Sequence, residues 1–278
     1  MENIKIYAFS DEASSTIDNQ ITALIRNRLQ GMEIRNVDGT NISDITKEKA
    51  KEVKSKLDAN GLKVWSIGSP LGKINITDNF QNHLEKFKHT LEIAEILDAK
   101  NLRVFSFFIP KDKSASLYKD EVLERIGKFT EIAKDYDITL CHENEKGIYG
   151  DIAERCLEIH KQFPTIKAIF DPANFVQCGV DTLKAWDLLK DYVHYLHVKD
   201  AFADGFVVPA GKGIGNVEKI AKEFIARGGE NFTIEPHLTV FSGFEALENG
   251  EELKTLYKFP SNDVAFDTAC ESFKALLG

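Results

Sequence analysis

Short apolar runs rich in β-branched and aromatic residues alternate along the chain with longer segments whose apolar positions recur every three or four residues. The short runs are Ile4 to Phe9, Met32 to Arg35, Leu62 to Ile67, Asn101 to Phe108, Ile138 to Glu143, Lys167 to Asp171, His194 to Val198 and Phe232 to Glu235. Their length and the turn residues that bound them predict strands. Between them, Phe80, Leu84, Phe87, Leu91, Ala94 and Leu97 follow helical spacing, as do Leu123, Ile126, Phe129, Ile132 and Tyr136, so each segment is expected to bury one stripe. Asp18 is positioned to begin the first helix, before Ile21, Leu24, Ile25 and Leu29, with Gly31 ending it. Gly61 likewise follows a helix over Lys47 to Asn60. The stretch Asp267 to Leu277 is expected to be the last helix, burying Cys270, Phe273, Leu276 and Leu277. Pro236 to Asp263 then forms a long connection of the kind that often serves a site.

Successive predicted strands start 27 to 39 residues apart, the length of one strand plus one crossover helix. Such crossovers keep every strand parallel. Eight units in this length predict a single domain, residues 1–278, folded as an α/β (β/α)8 TIM barrel. An open doubly wound sheet would carry a glycine-rich fingerprint after the first strand, where this chain has Ser10, Asp11, Glu12 and Ala13.

Composition narrows the classes. With 43% hydrophobic and 28% charged residues in 278, the chain is globular rather than disordered, collagenous or membrane-embedded. Its 35 basic and 44 acidic residues leave a net charge of −9, a poor match to a nucleic-acid backbone. The first residues show no leader pattern and no apolar run spans a bilayer, so no membrane partner and a cytoplasmic location are expected. Cys141, Cys156, Cys178 and Cys270 form no C-x-x-C pair and are expected to be reduced thiols. The expected partner is a small molecule; homo-oligomerisation stays open.

Function in a barrel sits at the C-terminal strand ends. The fifth predicted strand ends at Glu143, the sixth at Asp171, the seventh runs through His197 to Lys199, and the eighth ends at Glu235. A single charged strand end is often merely solvated. Four in succession on one rim need their repulsion and desolvation offset, and a divalent cation is the simplest agent. One nitrogen among carboxylate oxygens suits Mn²⁺, Mg²⁺ or Co²⁺, with Zn²⁺ also compatible. Lys199, two residues beyond His197 and so on the same strand face, can offset the remaining negative charge.

These residues lie in motifs, His142-Glu143-Asn144-Glu145, Phe170-Asp171-Pro172-Ala173-Asn174, His197-Val198-Lys199-Asp200, Pro209-Ala210-Gly211-Lys212-Gly213 and Ile234-Glu235-Pro236-His237, that resemble the xylose-isomerase-like barrels over the whole chain. That family includes sugar-phosphate isomerases and epimerases, ketose 3-epimerases, inositol-catabolism enzymes and type IV apurinic endonucleases. The resemblance implies that Glu143, Asp171, His197 and Glu235 bind one divalent metal and that Glu143 and Glu235 exchange protons with substrate. The expected activity is a metal-dependent isomerase or epimerase of a sugar or sugar derivative, acting through a metal-stabilised enediolate. A Lewis acid lowers the barrier to proton loss next to a carbonyl, and two carboxylates can remove and return the proton. Lys199 would then hold a developing alkoxide or a substrate hydroxyl. The alternative is a polyol-ketone dehydratase, which shares the enediolate and differs in what leaves. The apurinic endonuclease reading fits poorly: the first four strand ends offer no His, and DNA needs a cationic path.

Ketose epimerases commonly carry His three residues after the metal-binding Asp, where this chain has Asn174, which can hydrogen-bond a substrate hydroxyl. His237, two residues beyond Glu235, is expected to face the same mouth. Glu145 is either a substrate-binding or ligand-orienting carboxylate or a solvated loop residue. Arg35 and Glu33 share a strand face and are expected to pair, with Arg35 meeting an anionic or hydroxylated substrate or serving a structural ion pair. Asp11 is expected to cap the following segment. The glycine-rich turn Gly211 to Asn216 precedes a helix and is able to seat an anion, though the resembling family uses a similar turn without phosphate. His83, His89 and His160 lie in predicted helices as surface or packing residues. Trp65 and Phe107 are candidates for an apolar wall beside a sugar ring, with core packing the commoner fate.

Overall fold

The computed structural model describes residues 3–241 and 256–278. Eight strands close into one parallel barrel: β1 (Lys5–Ala8), β2 (Gly31–Ile34), β3 (Lys63–Ile67), β4 (Asn101–Val104), β5 (Thr139–Glu143), β6 (Lys167–Phe170), β7 (Val193–Val198) and β8 (Asn231–Ile234). They stand around the barrel in chain order, and β1 closes on β8 in parallel with Lys5 beside Asn231 and Ala8 beside Ile234. The helices α1 (Ile17–Arg26), α2 (Lys47–Ala59), α3 (Phe80–Ile96), α4 (Lys119–Ala133), α5 (Ala153–Gln162), α6 (Pro172–Gln177), α7 (Thr182–Leu189), α8 (Val217–Ala226) and α9 (Asn262–Leu277) connect or follow the strands. The expected (β/α)8 barrel is therefore what forms. Among the described residues no helix is long and apolar enough to cross a membrane, and the four cysteines are unpaired.

Several local expectations are corrected. Gly31 does not end a helix. It opens β2, where a β-carbon would lie 1.9 Å from the Lys63 carbonyl oxygen, so the strand approaches its neighbour too closely for any side chain. The chain leaves α1 through Asn27 and Arg28, the latter in the left-handed region at φ 51°. Asp18 lies inside the first turn of α1 rather than before it. Gly61 does end α2: at φ 66° its N–H reaches the Asp58 carbonyl and the Leu62 N–H that of Leu57. The buried stripe of α4 is Val122, Ile126, Phe129 and Ala133, while Leu123 and Ile132 are only half-buried. The C-terminal helix begins earlier than Asp267, because the Ser261 hydroxyl accepts from the Val264 N–H and nucleates it. Of the long connection after β8, residues 242–255 lie outside the described residues.

Inside the barrel, side chains alternate in layers. Cys141, Ile169 and Tyr195, with Trp65 packed against them, form a small apolar cluster separate from the core between barrel and helices. Moving two residues along the same strands reaches Glu143, Asp171 and His197, because every second strand residue faces the same side. The apolar layer is the floor on which the charged layer rests. Trp65 belongs to that floor, stacked on Tyr7 with ring centroids 5.2 Å apart, and Phe107 packs against Phe80 and Phe129 under the helices. Neither is the site wall considered above.

Candidate active site

Glu143, Asp171, His197 and Glu235 converge from β5, β6, β7 and β8, and one potential ligand atom of each lies within 4.8 Å of the others. All four are buried. A clamp sets the spacing of the first two strands: Asn144 Nδ2 donates to the Asp171 carbonyl and the Asp171 N–H donates to Asn144 Oδ1, both at 2.9 Å. Pro172 opens α6 without needing an N–H partner, and the Asp171 side chain caps it by accepting from the Asn174 N–H at 2.9 Å.

The acidic layer is held by cations from other strands. Arg35 forms a two-pronged contact with Asp11 at 2.9 and 3.1 Å and reaches Glu12 at 3.0 Å and Glu235 at 3.2 Å. Its guanidinium lies between the rings of Phe9 and Phe241. Arg103 donates to Glu143 at 2.9 Å and to the carbonyls of Ser69 and Gly68. Lys199 Nζ stands 2.8 Å from Glu235 and 3.0 Å from Asp171. His197 Nδ1 faces Glu143 at 2.9 Å, and its Nε2 faces Glu33 at 3.0 Å. His237 approaches Glu12 through its backbone N–H at 2.6 Å and through Nδ1 at 3.0 Å. Its φ of 46° is rare for a residue with a β-carbon, and such strain concentrates at functional positions.

These contacts set the protonation states. Burial raises the Glu143 carboxyl, but the His197 and Arg103 charges outweigh it and bring it down to about 2. Glu235 is likewise held well below the usual range against its burial, chiefly by Lys199 and His237. Asp171 goes the other way, to about 7. Burial dominates, and repulsion from Glu235 and Glu143 adds to it against the pull of Lys199. A carboxyl so deeply buried beside two others would be held ionised by a further positive charge. Three oxygens and one imidazole nitrogen, converging and buried, therefore fit a divalent cation.

The structure thus brings Glu143, Asp171, His197, Glu235 and Lys199 into one cluster, with Arg35 and His237 at its edge. Asn174 adjoins it, its amide donating to Glu143 Oε1 at 3.3 Å and to the Asn144 carbonyl at 2.9 Å. Glu145 is not a solvated loop residue: Lys73 Nζ lies 2.7 Å away, and both side chains are largely buried. Glu33 and Arg35 do not pair. Glu33 turns to His197 and Tyr195, leaving Arg35 to Asp11, Glu12 and Glu235. Asp11 accordingly holds Arg35 instead of capping. Arg103 and Lys73 are additions that strand-end reading passes over. For Arg103 the available signal was a permanently charged residue inside an apolar run, which demands a buried partner. The glycine-rich turn already holds an anion of the chain's own. Asp200 accepts from the N–H groups of Gly211, Gly213 and Gly215 at 3.0, 3.0 and 2.9 Å, leaving those donors no phosphate to seek.

Comparison with known proteins agrees with this fold. The family model described as xylose isomerase-like TIM barrel matches residues 28–256. No curated protein matches the sequence significantly. Similar solved structures include the probable 3-DHS dehydratase AsbF from Bacillus anthracis, with 17% identity, 98% of each chain covered and a TM-score of 0.73. The IOLI protein with a bound zinc atom shows 14% identity over 99% of this chain and 98% of its own, with a TM-score of 0.74. The 3-keto-D-glucoside 4-epimerase YcjR from E. coli shows 13% identity over 99% of both chains, with a TM-score of 0.70. At such identities the likeness concerns the fold, and it is the family match over most of the sequence that assigns membership: the chain belongs to the xylose isomerase-like TIM barrel family.

Proposed function

We propose that this protein is a metal-dependent isomerase or epimerase of a sugar or sugar derivative, working by proton abstraction next to a carbonyl. The observation that carries the reading is the convergence of Glu143, Asp171, His197 and Glu235 on one buried point. Those four residues would hold the cation, with Mn²⁺, Mg²⁺ and Co²⁺ suited to the donor set and Zn²⁺ compatible with it. The chemistry such a cation supplies when bound is Lewis acidity toward a carbonyl oxygen and its neighbouring hydroxyl.

The chain's own groups supply the rest. Glu143 and Glu235 are both held below the ordinary carboxylate range, so each would be ionised at neutral pH, and the one that takes the proton from carbon becomes the acid that returns it, after exchange with solvent. Lys199 keeps its charge because Asp171 and Glu235 outweigh its burial, and its ammonium donates to an oxygen that gains negative charge. Asn174, whose amide N–H groups go to Glu143 and the Asn144 carbonyl, would meet a substrate hydroxyl through Oδ1, His237 would offer a donor, and Arg35 and Glu145 would set the edge of the site.

The test is a screen of ketoses, their phosphates and keto-inositols with each of the four metals supplied. The expected result is a product of unchanged mass carrying solvent deuterium at the abstracted carbon. A new absorbing enone would assign the site to dehydration instead. A protein that binds none of the metals would overturn the proposal, as would Glu143→Gln and Glu235→Gln variants that turn over normally with metal bound.

A further inference from the structure

Glu33 is buried completely in β2, on the far side of the barrel interior from β7, and it accepts two contacts from that strand. Tyr195 OH donates to Oε1 at 3.0 Å, and His197 Nε2 lies 3.0 Å from Oε2. Tyr195 is itself held by Ser66 of β3, whose hydroxyl is 3.1 Å from the phenol oxygen. Arg35, the cation nearest in sequence, is turned away to other carboxylates. The other ring nitrogen of His197, Nδ1, points into the ligand cluster, 2.9 Å from Glu143 and 3.6 Å from Glu235.

We propose that Glu33 is a positioning residue for His197: by accepting the Nε2–H bond it fixes the ring orientation and the tautomer that leaves the Nδ1 lone pair for a cation. The proposal rests on the metal reading above. An imidazole presents a lone pair on one nitrogen only when the proton sits on the other, and a fixed acceptor decides which nitrogen keeps it. A carboxylate does so more strongly than a carbonyl because the bond is charge-assisted, and it also makes the ring a better donor to metal. Tyr195, itself held by Ser66, occupies the other oxygen of Glu33 and so restrains the carboxylate from rotating toward Arg103. The chain from Ser66 through Tyr195 and Glu33 to His197 runs from the apolar floor, to which Tyr195 belongs, up to the charged layer, so the ring is set from below, away from the mouth.

The experiment is Mn²⁺ titration by calorimetry of the wild type and of Glu33→Gln, which keeps the volume and an acceptor oxygen but removes the charge. Affinity is expected to fall by about 10- to 100-fold, with the wild-type fold retained by circular dichroism. Tyr195→Phe, which leaves the bond from His197 in place, is expected to lose less than Glu33→Gln. Equal affinity in wild type and Glu33→Gln would overturn the role of Glu33 while leaving the metal site standing, whereas a wild type that binds no metal would overturn the metal reading itself. If Glu33→Gln does not fold, ¹⁵N-imidazole NMR of the Zn²⁺-loaded wild type decides. A proton on Nε2 of His197 with Nδ1 bound to metal supports the proposal, and the reverse arrangement sinks it.

Discussion

Acid should weaken this protein through His83, by an amount that can be worked out. The residue sits in α3, buried, and its Nε2 accepts the backbone N–H of Gly72 at 2.7 Å. An imidazolium has no lone pair for that bond and would set a donor against a donor. Burial, reinforced by Lys86 and Arg125, accordingly lowers its pKa from 6.5 to about 4. Above 6.5 folded and unfolded chains both carry the neutral ring. Between 6.5 and about 4 the unfolded chain binds a proton that the folded one refuses, so stability falls as pH falls through that window. The loss reaches about 2 kcal/mol at pH 5 and saturates at about 3 kcal/mol below pH 4. The assay is urea unfolding of wild type and His83→Gln at pH 7 and pH 5. Other titrating groups cancel in the comparison, and the wild type should lose about 2 kcal/mol more than the variant on acidification. A difference unchanged within about 0.5 kcal/mol would refute the reasoning. The effect should reach the mouth as well, because Gly72 precedes Lys73, the partner of Glu145. Gly72 itself cannot be replaced to compensate, since a β-carbon there would lie 2.1 Å from the Phe105 carbonyl oxygen.

Three further outcomes are expected. Arg103→Met strands the buried Glu143 carboxylate and should destabilise the protein by about 3–5 kcal/mol in chemical denaturation; a loss under about 1 kcal/mol would show that His197 alone suffices. Gly31→Ala should lower stability by about 3 kcal/mol or more because the Lys63 carbonyl leaves no room, while Gly39→Ala, whose β-carbon meets nothing within 4 Å, should lose only about 1–2 kcal/mol from its φ of 79°. Asp200→Ala should release the amides of Gly211, Gly213 and Gly215, read as faster hydrogen exchange at those three positions; protection equal to wild type would mean the turn holds itself.

The barrel and its four converging side chains were legible because each is a local signal. Strand length, helix period and the residue closing each strand are read within a few positions, and the parity that points Cys141 inward also points Glu143 inward. The partners were not legible, because pairing is decided across the barrel. Arg35 and Glu33 share a strand face, as expected, yet each finds a better-placed group on another element: Asp11 after β1 for one, His197 on β7 for the other. For Glu145 the choice between a site carboxylate and a solvated loop residue stays open in the sequence, since its cation, Lys73, lies 72 residues away. In α4 the centre of the expected stripe, Ile126 and Phe129, is buried, while its ends pass to Val122 and Ala133, a choice between adjacent positions that periodicity does not make. The early start of α9 was readable in principle, from Ser261 three residues before Val264.

The ion pairs of the mouth also bear on how this protein can change. Arg35 bonds Asp11, Glu12 and Glu235, Glu235 bonds Lys199, and Lys199 reaches Asp171, so these charges are linked in one shared network. Replacing any one shifts the charge balance of several others at once, so the effects of two replacements will not add. Drift toward a new substrate is therefore channelled away from these positions, toward the loops that carry Lys73 and Glu145 above them, while the charged layer must change in matched pairs or stay as it is.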